Sequence, residues 1–143
     1  MKIKFFNIGK ISEKDLSFAV ISANYNGKWV YVKHKDRNSW EIPGGHREPG
    51  ERIDETAKRE LYEETGCKKV DLVPICDYSM DDSINEIFGR LFFAIIKEMG
   101  QLPLSEVSEV KLFDNLPNNL TYLDVQPKLF KTTLSFIKNC ERI

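Results

Sequence analysis

A chain of 143 residues, 41% hydrophobic and 30% charged, has the size and composition of one globular domain that buries a core without disulfide or metal staples. Its 21 basic and 22 acidic residues leave a formal charge of −1, which argues against broad attraction to duplex nucleic acid or an anionic membrane. A small phosphorylated substrate stays compatible, because a divalent cation neutralises phosphate locally. The cysteines, Cys67, Cys76 and Cys140, are odd in number and form no C-x-x-C pair, as expected of reduced thiols in a cytoplasmic protein. No signal-peptide core or 18-residue apolar run is present, so no membrane span is expected.

In chain order, Lys2 to Ile8 reads as an edge strand. Ser17 to Tyr25 and Lys28 to Lys33 are β-prone runs flanking Asn26-Gly27, which predicts a hairpin with a type I′ turn. His34 to Ser39 is a polar loop, and Trp40-Glu41-Ile42 a short extended piece. Gly44-Gly45 is expected to turn, as is Pro49-Gly50. Ile53 to Thr65 is the clearest helix: Ile53, Ala57 and Leu61 make an apolar stripe, and Gly66 stands where a left-handed C-terminal glycine belongs. Val70 to Tyr78, Ile87 to Lys97 and Val107 to Phe113 read as strands, with an acidic turn at Asp81-Asp82. Leu116 to Asn119 is a turn. Gln126 to Cys140 is an amphipathic helix with Leu129, Phe130, Thr133, Leu134 and Ile137 at helical spacing. Strands with hairpin-like links plus two helices imply a mixed sheet packed between helices, in a single domain over residues 1–143.

The first helix is unusually acidic. Glu60, Glu63 and Glu64 stand at i, i+3 and i+4, hence on one face, where like charges repel unless a cation answers them. Oxygen-only clusters suit Mg²⁺ or Mn²⁺, and Mg²⁺ commonly shares itself between carboxylates and substrate phosphates. A plain solvated Glu-rich face is the competing reading, with Lys58 and Arg59 as compensation.

The flanking residues decide between them. Gly45 is followed after five residues by Glu51, then after seven more by Arg59-Glu60-Leu61, and then by Glu63-Glu64 and Gly66-Cys67. This resembles the Nudix signature G-x5-E-x7-R-E-U-x-E-E-x-G-U, with Cys67 the one mild departure at an aliphatic position. The preceding Trp40 to Gly45 also looks like that family's approach to its box. The resemblance implies an α/β/α sandwich with a mixed sheet and Mg²⁺-dependent hydrolysis of nucleoside diphosphate-X linkages. It implies metal binding by Glu60, Glu63 and Glu64, with a carbonyl of Gly44 or Gly45 and with Glu51 close to the metal or orienting its shell. Arg59 is expected to pair with a box carboxylate. Glu60 is our choice of general base, with Glu109 the candidate outside the box and Glu86 and Glu106 behind it.

Family marks for other substrates are missing: no proline lies at Asp81 to Ser83 as in ADP-ribose hydrolases, and Ser83 and Ile84 replace a diadenosine-polyphosphate tyrosine. The chain is similar to MutT-like nucleoside triphosphate pyrophosphatases, including those acting on oxidised guanine nucleotides. That group suggests Asn119, or Asn118, as a reader of a purine edge, against a plain turn role. His34, Lys35 and Arg37 form a basic loop that either meets the triphosphate or is simply solvated. Trp40, Phe5, Phe6 and Tyr78 either stack on a base or belong to the core. The expected partner is a small nucleotide, and the expected state a monomer or homodimer. The alternatives are cleavage of ADP-ribose, a nucleotide sugar or an RNA 5′ end, and a non-catalytic nucleotide-binding regulatory module.

Overall fold

The computed structural model describes residues 1–141. In chain order its elements are β1 (Lys2–Phe6), β2 (Phe18–Tyr25), β3 (Lys28–His34), β4 (Gly44–His46), α1 (Ile53–Thr65), β5 (Cys67–Asp81), β6 (Glu86–Met99), β7 (Val107–Phe113) and α2 (Gln126–Glu141). The strands form one sheet in the order β1-β5-β6-β2-β3-β7, with β4 alongside β2. β2 and β6 run parallel, from Phe18 opposite Gly89 to Asn24 opposite Ile95. The β1–β5, β5–β6, β2–β3, β3–β7 and β2–β4 pairs are antiparallel, so the sheet is mixed as expected.

Strand alternation divides the core into two layers. Ala19, Ile21 and Ala23 of β2 pack with Ile53, Ala57 and Leu61 of α1. On the other layer Tyr31, Tyr78 and Leu91 pack with Val125 and Leu129. The result is an α/β/α sandwich. The α1 stripe is fully buried, as its four-residue spacing predicts. A hydroxyl pair, Ser22 Oγ to Thr133 Oγ1 at 2.7 Å, ties α2 to the central strand inside the second layer. Leu134 departs from its expected place in the apolar stripe and is exposed.

Local backbone explains most boundaries. Asn26 (φ 53°) and Gly27 (φ 81°) both adopt positive φ, the requirement of the predicted hairpin turn. Gly66 (φ 82°) ends α1, its amide donating to the Tyr62 carbonyl at 2.8 Å. The expected turn at Gly44-Gly45 is corrected: both residues lie in β4, paired with Val20 and Ala19, and neither has positive φ. Glycine is required at 44 by close approach, since a Cβ there would meet the Ala19 carbonyl oxygen at 2.6 Å. β5 and β6 outrun their expected lengths because they pair continuously, the ladder absorbing Pro74 at an irregularity between Pro74 and Cys76. The turn between them begins at Asp82, whose carboxylate accepts the Ile84 and Asn85 amides at 2.9 and 2.7 Å.

No helix of the described residues is long and apolar enough to cross a membrane. Cys67 and Cys76 are buried free thiols, while Cys140 is exposed. Burial pushes the Cys76 thiol up to about 11 and raises that of Cys67. Cys140, being exposed, should react with a disulfide reagent in the folded protein. Cys67 and Cys76 should react only on addition of denaturant; two or three fast thiols in the folded protein would contradict the packing.

Candidate active site

Arg59 organises the acidic end of α1. Its Nε and Nη2 donate to the two Glu51 oxygens at 2.6 and 3.1 Å, a forked pair. Its Nη1 donates to Glu60 at 2.9 Å and to Glu63 at 3.3 Å, and Nη2 also reaches the His46 carbonyl at 2.9 Å. Glu51 in addition accepts the Thr56 hydroxyl at 2.7 Å and the Glu48 amide at 3.1 Å. Hydrogen bonding from Arg59 above all holds the Glu51 carboxyl down at about 2. With both oxygens engaged, Glu51 joins Arg59 in clamping the 46–52 loop.

Glu60 and Glu64 experience the opposite environment. Half-buried Glu60 is raised by loss of solvent, against the hydrogen bond from Arg59. Glu64 is buried and pushed up to about 8, first by desolvation and further by the charges of Glu60, Glu41 and Glu63, against one hydrogen bond from the Gly44 amide at 3.1 Å. His34 Nε2 stands 3.7 Å from Glu64 and 3.2 Å from Glu41. A Cβ on Gly45 would collide with the Glu60 carboxylate, so glycine there lets that carboxylate lie against the backbone.

Among the described residues, no three His, Cys, Asp or Glu side chains converge as a finished metal-binding group. Glu60 and Glu63 turn toward Arg59, while Glu64 turns toward Gly44. The chemistry still fits a hard divalent cation: the donors are all oxygen, two are desolvated, and their mutual repulsion is answered by a single guanidinium on one side.

These groups open on a cleft of about 540 Å³. His34, Lys35, Arg37, Gly44, Gly45, Glu60 and Glu64 line it. Arg37 spans the rim, 3.4 Å from Glu41 and over the Tyr122 ring at 5.1 Å. Glu51, Arg59 and Glu63 stand behind that lining, tied to one another through the Arg59 guanidinium, and Glu109, Asn119 and Trp40 lie elsewhere. Glu109 is on β7, opposite Lys33 and ion-paired with it at 3.1 Å, so the cleft receives Glu106 instead. Asn119 donates its side-chain amide to the Asn38 carbonyl and braces the turn. Trp40 packs edge-on against Phe113 at 5.2 Å, beneath Lys33, as part of the fold. Of the other aromatics, Phe5 and Phe6 remain on edge strand β1, whereas buried Tyr78 lines a second pocket.

That pocket, about 310 Å³ and predominantly apolar, shares the wall formed by His34, Glu41, Gly44, Gly45 and Tyr122 with the cleft. Glu41, Tyr122 and Gln126 are thus site residues that sequence reasoning missed. For Glu41 a signal existed, a carboxylate inside the otherwise apolar Trp-Glu-Ile piece. Desolvation raises it, against the attraction of His34 and Arg37.

A mixed sheet between two helices, with an Arg-clamped acidic helix beside a cleft, is an architecture that similarity to known proteins places in one family. The chain belongs to the Nudix family: the family model for the NUDIX domain matches residues 13–130. It is 34% identical over 102 residues to YtkD of Bacillus subtilis (strain 168), provisionally named an 8-oxo-dGTP diphosphatase, covering 71% of this chain and 64% of that protein. It is 32% identical over 124 residues to the ADP-ribose pyrophosphatase of the same organism, covering 76% of this chain and 67% of that protein. The Bacillus subtilis pyrophosphohydrolase BsRppH, solved as a glutamate-to-alanine mutant, has a TM-score of 0.79 and 25% identity, over 93% of this chain and 90% of that one. Hydrolases of the family generally need divalent metal ions.

The pressure on Glu64 has a measurable consequence. A carboxyl raised in the folded state stabilises fully below its ordinary range near 4.5, and that contribution is lost as pH rises through about 8. In chelator, the melting temperature should fall by several degrees between pH 5 and 8, and Glu64→Gln should flatten the fall. Added Mg²⁺ should restore the wild type at pH 8 but not the variant. A wild-type melting temperature that does not change over this range would remove the basis for treating Glu64 as an unanswered buried charge.

Proposed function

We propose that this chain is a divalent-metal-dependent pyrophosphohydrolase that converts nucleoside triphosphates, with guanine and oxidised guanine nucleotides foremost, to the monophosphate and pyrophosphate. The observation that carries this reading is the shared wall: an acidic cleft suited to a metal-bound diphosphate adjoins an apolar pocket suited to a base. Membership of the Nudix family and the name of YtkD support it. The name of the ADP-ribose pyrophosphatase keeps a second nucleotide class in the test.

In this reading Glu60, Glu63 and Glu64 hold the cation, Mg²⁺ or else Mn²⁺. When bound, that ion offsets the diphosphate charge and makes attacking water more acidic. Glu60 takes the proton of the attacking water. Its desolvated position raises its basicity, which a general base at neutral pH requires. The water oxygen bonds to phosphorus as the bridging P–O bond breaks, and pyrophosphate leaves with the bonding pair. Arg59 is a positioning residue: it holds Glu51, Glu60 and Glu63 in register. Lys35 and Arg37, in the lining of the same cleft, offer positive charge to the outer phosphates, and His34 lines the cleft beside Glu64.

The test is turnover of a panel of nucleoside triphosphates, 8-oxo-dGTP, ADP-ribose, nucleotide sugars and 5′-triphosphate RNA, with products identified by chromatography. Monophosphate plus pyrophosphate should form from triphosphates in Mg²⁺ and cease in chelator. Glu60→Gln should lower kcat by roughly 10²–10⁴-fold with a smaller effect on KM. Cleavage confined to ADP-ribose, a nucleotide sugar or RNA would overturn the substrate. Failure to turn over any member of the panel would overturn the enzyme in favour of a nucleotide-binding module.

Arg59→Lys separates positioning from chemistry. A lysine cannot reproduce the fork to Glu51. The variant should lose about tenfold or more in kcat and should require more Mg²⁺ for half-maximal rate. An unchanged Mg²⁺ requirement would show that the clamp does not set the carboxylates.

A further inference from the structure

We propose that a third recess, on the side of α1 away from the acidic cleft, binds a small phosphate monoester with an apolar, ring-sized body. The proposal is independent of the nucleotide reading above, because no residue of this recess lines the cleft or the apolar pocket.

The recess measures about 780 Å³, more than the cleft. That is ample for a small organic ligand. Its walls come from the loop before β2, the start of α1, and strands β5 and β6. One carboxylate holds these walls together. Asp77 is fully buried, accepts the Gly9 and Ile11 amides at 3.0 and 3.1 Å, and pairs with Arg90 at 2.7 Å. Across the recess, Glu13 accepts the Ile53 amide at 2.9 Å and so joins the same loop to α1. The walls are therefore set before any ligand arrives, which spares a ligand the cost of ordering them.

The charges in the lining do not balance. Each acid is already answered: Glu13 by the Ile53 amide, Asp54 by Arg52 at 3.4 Å, and Asp71 by Lys97 at 3.4 Å. The bases are not. Arg90 gives its Nε and Nη2 to Asp77, while its Nη1 makes no hydrogen bond among the described residues, although the side chain is only 17% exposed. Lys58 lines the recess and forms no ion pair among the described residues. The Ser12 hydroxyl, also in the lining, makes no cap bond to the turn that follows it. Two separate cationic groups and a free hydroxyl suit a doubly charged phosphate, and a guanidinium matches its oxygens in shape. The apolar part of the ligand follows from the strands. Arg90 and Phe92 are two residues apart on β6 and share a face. Ile11, Val70 and Leu72 pack against the cluster that contains Phe92, yet stay half-buried. A phosphate at Arg90 thus lays its attached ring along surface that is still partly in water.

The test is calorimetry in chelator with 1-naphthyl phosphate, 1-naphthoate, neutral 1-naphthol and inorganic phosphate, together with amide NMR spectra that locate the ligand. 1-Naphthyl phosphate should bind about tenfold or more tightly than each of the other three. It should move the amide signals of Gly9, Ile11 and Leu72 and leave those of Gly44 and Gly45 in place. Lys58→Glu, at an exposed position of α1, should weaken binding by about tenfold or more. Naphthol binding as tight as the phosphate ester would reduce the recess to an apolar patch, and inorganic phosphate binding as tight would remove the ring. Equal binding of naphthoate would remove the phosphate. Each of these results overturns the proposal, as do no binding at millimolar ligand, signals that move at Gly44 and Gly45 alone, and undiminished affinity in folded Lys58→Glu. If that variant does not fold, the wild-type series and its spectra decide. Turnover of nucleotides, or its failure, leaves these outcomes unaffected.

Discussion

One guanidinium holds the acidic end of this molecule together. Arg59 sits among Glu51, Glu60 and Glu63 and also grasps the His46 carbonyl, so a single side chain on α1 fixes the loop before the helix and the carboxylates upon it. Without it, mutual repulsion would splay those carboxylates or keep them protonated. The fork to Glu51 satisfies one acid completely, which leaves Glu60 and Glu63 only partly answered and Glu64 without any direct bond to that guanidinium. The acidic end is therefore graded, with Glu51 in the loop before the helix paired outright and Glu60, Glu63 and Glu64 on the helix answered less completely.

Environment gives residues of one type different work. Glu51 is held far into the acidic range by Arg59, whereas Glu64 is driven toward neutrality by burial and by its acidic neighbours. Separation of like groups by their surroundings is how a fold assigns structural and chemical roles to identical side chains. The same division appears between the two hollows. One is lined by ionisable groups and the other mostly by apolar side chains, and they touch along β4. β4 can lie so close to β2 only because Gly44 carries no side chain.

Local pattern was the readable part of the sequence. The stripe Ile53, Ala57 and Leu61, the Asn26-Gly27 turn and the Gly66 cap each depend on a few adjacent residues, and each stands as expected. The spacing of Gly45, Glu51, Arg59 and Glu60 carried the family. What could not be read depends on distant contacts. Whether Gly44 turns or extends is decided by the approach of Ala19 and Val20. Whether Glu106 or Glu109 meets the cleft is decided by the β3–β7 register and its shift at Lys33/His34. Whether Asn119 or Gln126 reaches a pocket follows from the path between β7 and α2. Asn119 is drawn back to Asn38, and Gln126 is carried inward at the start of the helix.

The parallel pairing of β2 with β6 bears on how the molecule comes into being. Phe18 meets Gly89, and strands β3 and β4, helix α1 and all of β5 lie in the chain between them. Closing so long a segment costs entropy before any ladder bond repays it, which places this chain among the slower, non-local folders. Helix α1 rests on β2 within the layer that contains Phe92 and Ala94 of β6, so the full bed beneath the acidic helix exists only once that closure has occurred. During synthesis, the box residues leave the ribosome well before the strand that completes their support, and the arrangement of the acidic cluster must ripen with the topology rather than with the motif.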